Sequence, residues 1–305
     1  MTEIKRHLRG PRENLSEELF SPGFQDANLY RRQTAFFQPS ILKCWAESIE
    51  KIVEDEIKLE VLMAFSNSNS RILRAIKGLQ SDKEKSNFLD RQVSDMFSQC
   101  LGLAASSSDA SNRTKLIKYL YSKKLLEIKL IASFNPDTDE LGLAHEKAGY
   151  FLKNDGEIIL FFGSANESES AFLRQGEHLQ VYNSSIPTDL EDLNYFKDDL
   201  DKKWNNKDEY SQVFKPSKDI IDRINSTLEI TSKEEALDVA REIMEEERLL
   251  NRPYFPLREH QKEAVKSFQD SEMRGIFDHA TGSGKTYTSV RIIQALRKST
   301  KRLNV

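Results

Sequence analysis

The stretch that most restricts the fold is residues 143–166, LAHEKAGYFLKNDGEIILFFGSAN. Two apolar runs, LAHEKAGYFL (143–152) and EIILFFG (157–163), flank a short gap around Asp155 that reads as a hairpin turn. Five apolar residues follow Glu157 without a break, as expected of a strand buried at the centre of a sheet. A chain holding such a strand has to build a sheet around it, with further strands beside it and helices on its faces.

The rest of the first half supplies them. RRQTAFF (31–37) and KLEVLMAF (58–65) read as strands, with a helical stripe of Ile41, Trp45, Ile49, Ile52 and Val53 between them. Residues 70–124 read as mostly helical, broken by the serine-rich GLAASSSDASN around 102–112. LEIKLIA (126–132) and EHLQVYN (177–183) are further strand candidates. Strands separated by helices predict an α/β fold with a mixed sheet flanked by helices. The expected organisation is an N-terminal extension over 1–24, a sheet domain over 25–185, a charged helical connector over 186–250, and a separate unit over 251–305. Runs such as DLEDLNYFKDDLDKKWNNKDEY and SKEEALDVAREIMEEERLL carry the connector expectation, their charges read as a solvated face.

Composition excludes little beyond this. The net charge of −4 gives no global basic signature, so any attraction to nucleic acid has to be local. The two cysteines, Cys44 and Cys100, form no metal-like pair, which argues against a disulfide framework or a cysteine zinc site. No stretch approaches the roughly 18 apolar residues that span a bilayer, and MTEIKRHLRGPRENL lacks the apolar centre of a signal peptide. A cytoplasmic location is expected.

The last unit carries the most specific motif. GIFDHATGSGKTYTSVRIIQAL (275–296) reads as strand, glycine loop and helix. Thr281, Gly282, Ser283 and Gly284 form a loop whose backbone can wrap phosphates, Lys285 supplies a point charge for the terminal phosphates, and the Thr286 hydroxyl suits Mg²⁺. The stretch resembles the start of a superfamily 2 helicase or translocase motor with a RecA-like P-loop domain. That resemblance makes Gln261 of LREHQ the adenine-reading glutamine, with Arg258 beside it, and ATP with Mg²⁺ the ligands. His279 and Ala280 stand where the general pattern begins with glycine, a departure usual in helicases. The sequence closes on KRLNV with no DEAD/DEAH-type acid after Thr286. The expectation is therefore the N-terminal part of a longer nuclease–helicase, with the remaining helicase lobes elsewhere and no efficient ATP hydrolysis from this chain alone.

Strand alternation puts His145 and Lys147 on one face and Glu146 on the other, with about 7 Å between the first two along the strand. Gly163 allows a tight turn that delivers Ser164 and Asn166 to the end of the next strand. A histidine, a cation and two neutral donors suit a phosphodiester. His145-Glu146-Lys147 with Gly163-Ser164-Ala165-Asn166 resembles the phospholipase D superfamily signature, H-x-K followed by D and then G-S-x-N. The resemblance extends over about 25–185 and implies that Glu177 is the acid that orients the histidine. It further implies a metal-independent two-step displacement through a phosphohistidine on His145, with Lys147 and Asn166 holding the phosphate and Ser164 supporting them. The motif aspartate is replaced by Leu152, the nearest acid being Asp155 in the turn. His7, His178, His260 and His279 show no H-x-K context, so a complete site implies a homodimer with His145 from each subunit.

Three readings follow: a DNA endonuclease attached to a motor, in bacterial restriction or phage defence and with other subunits of such a complex as partners; a non-catalytic DNA-binding or dimerisation module that recruits the motor; and a regulatory chain that binds ATP without hydrolysing it.

Overall fold

A computed structural model describes residues 4–10, 12–65, 82–101, 111–138, 140–142, 144–166, 176–251, 257–271, 285 and 288–293. The chain divides into two units, Met1–Leu250 and Asn251–Val305.

The first unit is mixed α/β, built among its described residues on one nine-stranded sheet. Its strands are β1 (His7–Arg9), β2 (Ala27–Thr34), β3 (Lys58–Ala64), β4 (Leu126–Asn135), β5 (Glu140–Gly142), β6 (Ala148–Lys153), β7 (Ile158–Gly163), β8 (His178–Asn183) and β9 (Ser211–Phe214). The order is β1-β8-β7-β6-β2-β3-β4-β5, with β9 also paired to β4. β2, β3 and β4 run parallel, and β2 meets β6 antiparallel, so β2 is where the sheet changes sense. The run EIILFFG lies between β6 and β8, inside the sheet as its apolar pattern required.

The helices are α1 (Ser21–Phe24), which continues the π-turn Ser16–Phe20, then α2 (Ala46–Glu54), α3 (Asp82–Cys100), α4 (Asn112–Ser122), α5 (Leu190–Trp204), α6 (Lys218–Ser226) and α7 (Lys233–Asn251). Ser111 and Ser217 cap α4 and α6, their hydroxyls accepting the backbone N–H groups of Thr114 and Ile220 at 3.4 Å. One face of the sheet buries Tyr30, Val61, Ile128, Phe151, Phe161 and Val181 against Ile49, Ile52 and Val53 of α2 and Leu116, Ile117 and Leu120 of α4. The other face buries Tyr150, Leu160 and Tyr182 beneath Leu193 and Leu200 of α5.

Two parts of the expected organisation differ. Residues 1–24 are not an extension: β1 pairs with β8, and Leu8, Leu15, Leu19, Phe20 and Phe24 enter the main core. Residues 186–250 are not a connector beside the sheet. Leu193, Leu200 and Trp204 recur at helical spacing on α5 and cover the second face, while β9 adds a strand. Ile220, Ile224, Ala236, Ala240 and Ile243 then bury α6 and α7 in the main core. Charge dominates these helices by count, but one stripe on each is apolar.

RRQTAFF also ends early as a strand. The Thr34 hydroxyl donates to the Phe36 carbonyl at 3.0 Å and accepts the Phe36 N–H at 3.4 Å, which turns the chain out of the sheet. In the second unit α8 (Glu259–Asp270) is described, together with helical Lys285 and residues 288–293. Among the described residues no helix is long and apolar enough to cross a membrane.

Candidate active site

The site lies where β2 and β7 end and β6 and β8 begin. The HEK segment precedes β6, which starts at Ala148 rather than at the expected 143. The Gly163 N–H donates to the Lys147 carbonyl at 3.0 Å, so the end of β7 still clamps the segment. His145 is exposed and Lys147 buried. The Lys147 Nζ lies 3.2 Å from the His145 Nδ1 and donates to the His145 carbonyl at 3.1 Å. Alternation holds through the segment: Glu146 faces away, pairing with Lys203 of α5 and accepting from the Gln33 Nε2 at 3.4 Å.

The GSAN turn is fixed at each residue. A Cβ on Gly163 would sit 1.9 Å from the His178 carbonyl oxygen, so only glycine lets β7 and β8 approach this closely. The Ser164 N–H donates to the His178 carbonyl, and the Ser164 hydroxyl accepts the His178 N–H, both at 3.1 Å. Ser164 therefore holds the turn. The Ala165 carbonyl accepts from the Arg32 guanidinium at 2.5 Å. The Asn166 Oδ1 accepts the Ala35 N–H at 3.2 Å and lies 3.4 Å from the Thr34 hydroxyl, whose one proton it shares with the Phe36 carbonyl. With its oxygen so engaged, the Asn166 Nδ2 has no acceptor among the described residues.

Glu177 is buried at the entry to β8, on the same face as Leu179 and Val181. It acts on Lys147 electrostatically. Burial pulls the Lys147 ammonium below the usual lysine range, the positive charge of Arg32 pulls it further, and Glu177 opposes both. Among the described residues no hydrogen bond joins Glu177 to His145; Lys147 meets that imidazole instead. His178 belongs to the opposite face from Glu177 and stacks on His7 with ring centroids 5.7 Å apart. It is therefore no second histidine for the same face. Leu152 pairs with Leu29 and Ile158 and packs into the core under α5, so the position of the motif aspartate is apolar structure here. Asp155 accepts the Glu157 N–H at 2.9 Å in the β6–β7 turn, at the far end of β6.

The residue that sequence reasoning missed is Arg32. It is nearly inaccessible to solvent at 1 % exposure, its guanidinium 4.8 Å over the Phe161 ring, yet RRQTAFF was read only as a strand. The available signal was a cation within a run otherwise destined for the core, which needs a partner there.

In the second unit, the Gln261 Oε1 accepts the Arg258 N–H at 2.9 Å, so the glutamine expected to read adenine also caps α8. Lys285 is exposed on a helix. Thr281, Gly282, Ser283, Gly284 and Thr286 lie outside the described residues.

Residues 254–305 match the family described as Type III restriction enzyme, res subunit. No curated protein matches the chain. Among solved structures, the chain is similar to NucT from Helicobacter pylori, at 17 % identity and a TM-score of 0.35, over 64 % of this chain and 94 % of that one. It is also similar to phosphatidylserine synthase of Haemophilus influenzae Rd KW20, at 12 % identity and a TM-score of 0.37, over 80 % of this chain and 46 % of that one.

Proposed function

We propose that the first unit is a metal-independent phosphodiesterase acting on DNA, and that it belongs to a cytoplasmic nuclease–helicase of the restriction or phage-defence type. The observation that carries this reading is the convergence, at one end of the sheet, of the Lys147 ammonium 3.2 Å from the His145 ring with an Asn166 amide whose oxygen is tied back. A phosphate at that point meets a cation, an N–H donor and a nucleophile together. The P-loop sequence and the match of 254–305 to the type III restriction res subunit support a neighbouring ATP-binding motor and so favour nucleic acid as substrate. Lys285 would hold the terminal phosphates of ATP, and bound Mg²⁺ would neutralise charge developing on them.

In the proposed reaction the His145 Nε2 attacks phosphorus, a P–N bond forms and the P–O bond to the leaving strand breaks. The leaving oxygen takes its proton from the imidazolium of His145 in a second copy of the chain, because no other described histidine of the first unit shares this face. Water then attacks phosphorus, the P–N bond breaks, and the water's proton passes to that second imidazole. When Lys147 donates to Nδ1, the neutral ring carries its proton on Nε2. An incoming phosphate that draws the ammonium away frees Nδ1 to take the proton, leaving Nε2 to attack.

The test is plasmid cleavage in EDTA. Cleavage by the wild-type dimer that His145→Ala lowers by at least about 10³-fold, in the range of losing a nucleophile, supports the reading. A folded dimer inert toward plasmid, single-stranded DNA and RNA refutes it. Leu152 at the aspartate position favours the second reading, a DNA-binding module that recruits the motor; that module binds DNA without cutting it and is indifferent to His145→Ala.

A further inference from the structure

Four residues lie in register across the sheet: Arg32 of β2, Gly149 of β6, Phe161 of β7 and Val181 of β8. All point to the main core, where a guanidinium has no ordinary place. The side chain of Arg32 does not stand up from the sheet. It crosses β6 at Gly149, where a Cβ would come within 2.8 Å of the Arg32 Cδ, and sets its head 4.8 Å over the Phe161 ring. From there it donates to the Ala165 carbonyl at 2.5 Å, within the turn that carries Ser164 and Asn166. Two rows further on lies Lys147, whose carbonyl accepts the Gly163 N–H at 3.0 Å. Burial lowers the Lys147 pKa, the charge on Arg32 lowers it further, and Glu177 opposes both.

We propose that Arg32 is a positioning residue of the catalytic centre: it pins the Gly163–Asn166 turn to β2 and sets the electrostatic field in which Lys147 and His145 act. It is too deeply buried to touch a substrate, so its effect passes through the Ala165 carbonyl and Lys147. The placement of Gly149 follows from the same requirement, since a side chain there would close the path of the arginine. A planar guanidinium suits the task better than a lysine, because its fork can lie over a ring while its in-plane N–H groups donate to a carbonyl. Its catalytic half rests on the phosphodiesterase reading.

The experiment compares wild type, His145→Ala, Arg32→Met and Arg32→Lys in plasmid cleavage and in a titration of Lys147 followed by NMR of reductively ¹³C-methylated protein. Arg32→Met is expected to lower kcat at least tenfold with KM within threefold, and to move the Lys147 midpoint upward as the neighbouring positive charge disappears. Arg32→Lys keeps the charge, so the midpoint stays while kcat falls less. An inert wild type with a shifted Lys147 midpoint in Arg32→Met sinks the phosphodiesterase reading and spares the positioning role. Wild-type kcat and an unmoved midpoint in folded Arg32→Met overturn the proposal, as does activity that falls only with the folded fraction. If Arg32→Met does not fold, Arg32→Lys decides: at the wild-type thermal midpoint, a kcat reduced at least threefold supports the role and an unchanged kcat overturns it.

Discussion

Gly163→Ala tests whether the GSAN turn depends on the close approach of β7 and β8. The added Cβ would lie 1.9 Å from the His178 carbonyl oxygen, 2.9 Å from its carbon and 3.0 Å from the Leu179 Cα, all backbone atoms that cannot rotate away. Restoring ordinary contact at about 3.4 Å needs the strand ends to part by roughly 1.5 Å, enough to break hydrogen bonds at their limit of length. Those at risk are the Ser164 N–H to the His178 carbonyl and the His178 N–H to the Ser164 hydroxyl, each at 3.1 Å, and the Gly163 N–H to the Lys147 carbonyl at 3.0 Å. At about 1 kcal/mol net for each, the loss is about 2–3 kcal/mol. A unit of this size loses about 2–4 °C of Tm per kcal/mol, so unfolding should come roughly 4–12 °C earlier. Circular dichroism melts give the comparison, with Gly176→Ala as the control, since a Cβ at Gly176 meets nothing within 4 Å. Cleavage should fall with the turn even below the melting range. A Tm for Gly163→Ala within 2 °C of the control, about half of the smallest shift expected, would refute the argument.

Three further outcomes are expected. Lys153→Met removes the donor that satisfies the carbonyls of Pro22, Gly23 and Gln25 at the end of α1, and should cost about 2–3 kcal/mol in urea unfolding. Lys118→Met should raise the Tm at neutral pH, because burial disfavours the ammonium and pulls its pKa below the lysine value of 10.5. The unfolded chain binds the extra proton between the folded midpoint and 10.5, so the penalty is full below that window and fades as pH rises through it; the advantage of Lys118→Met should fade likewise in melts from pH 7 upward. Lys285→Ala should weaken ATP binding at least about tenfold by calorimetry, the loss of a point charge on the terminal phosphates; equal affinity in both proteins would detach the P-loop sequence from nucleotide binding.

The parts of the fold legible in the sequence were those with long apolar signals. β2, β3, β4, β6, β7 and β8 each carry five or more strand residues, and the uninterrupted apolar run of β7 led directly to its interior place. β1, β5 and β9 were missed because three or four residues carry no periodicity, and they exist only where another strand offers an edge. The burial of α5, α6 and α7 was hidden by charge: a stripe such as Leu193, Leu200 and Trp204 is thin among many acidic and basic neighbours. At the site, the placement of Lys147 beside His145 followed from alternation, as did the outward turn of Glu146. A cation inside a core-bound run marks Arg32 locally, but neither its partner at Ala165 nor the tether from Ala35 to Asn166 could be read in advance, since both join residues more than a hundred positions apart.

Arg31 and Arg32 are adjacent, chemically identical and assigned to different work. Arg31 faces α5, where it bonds the Glu60 carboxylate at 2.6 Å, pairs with Asp201 and lies 5.4 Å from the Trp204 ring. Arg32 faces the opposite core. Because strand residues alternate, shifting β2 by a single position would exchange the two arginines, placing each guanidinium among the other's neighbours. The segment from Tyr30 to Thr34 should therefore admit neither insertion nor deletion. The turn Asn154–Gly156, exposed at the far end of β6, carries no such restriction, and length variation among descendants of this chain should collect there and leave β2 untouched.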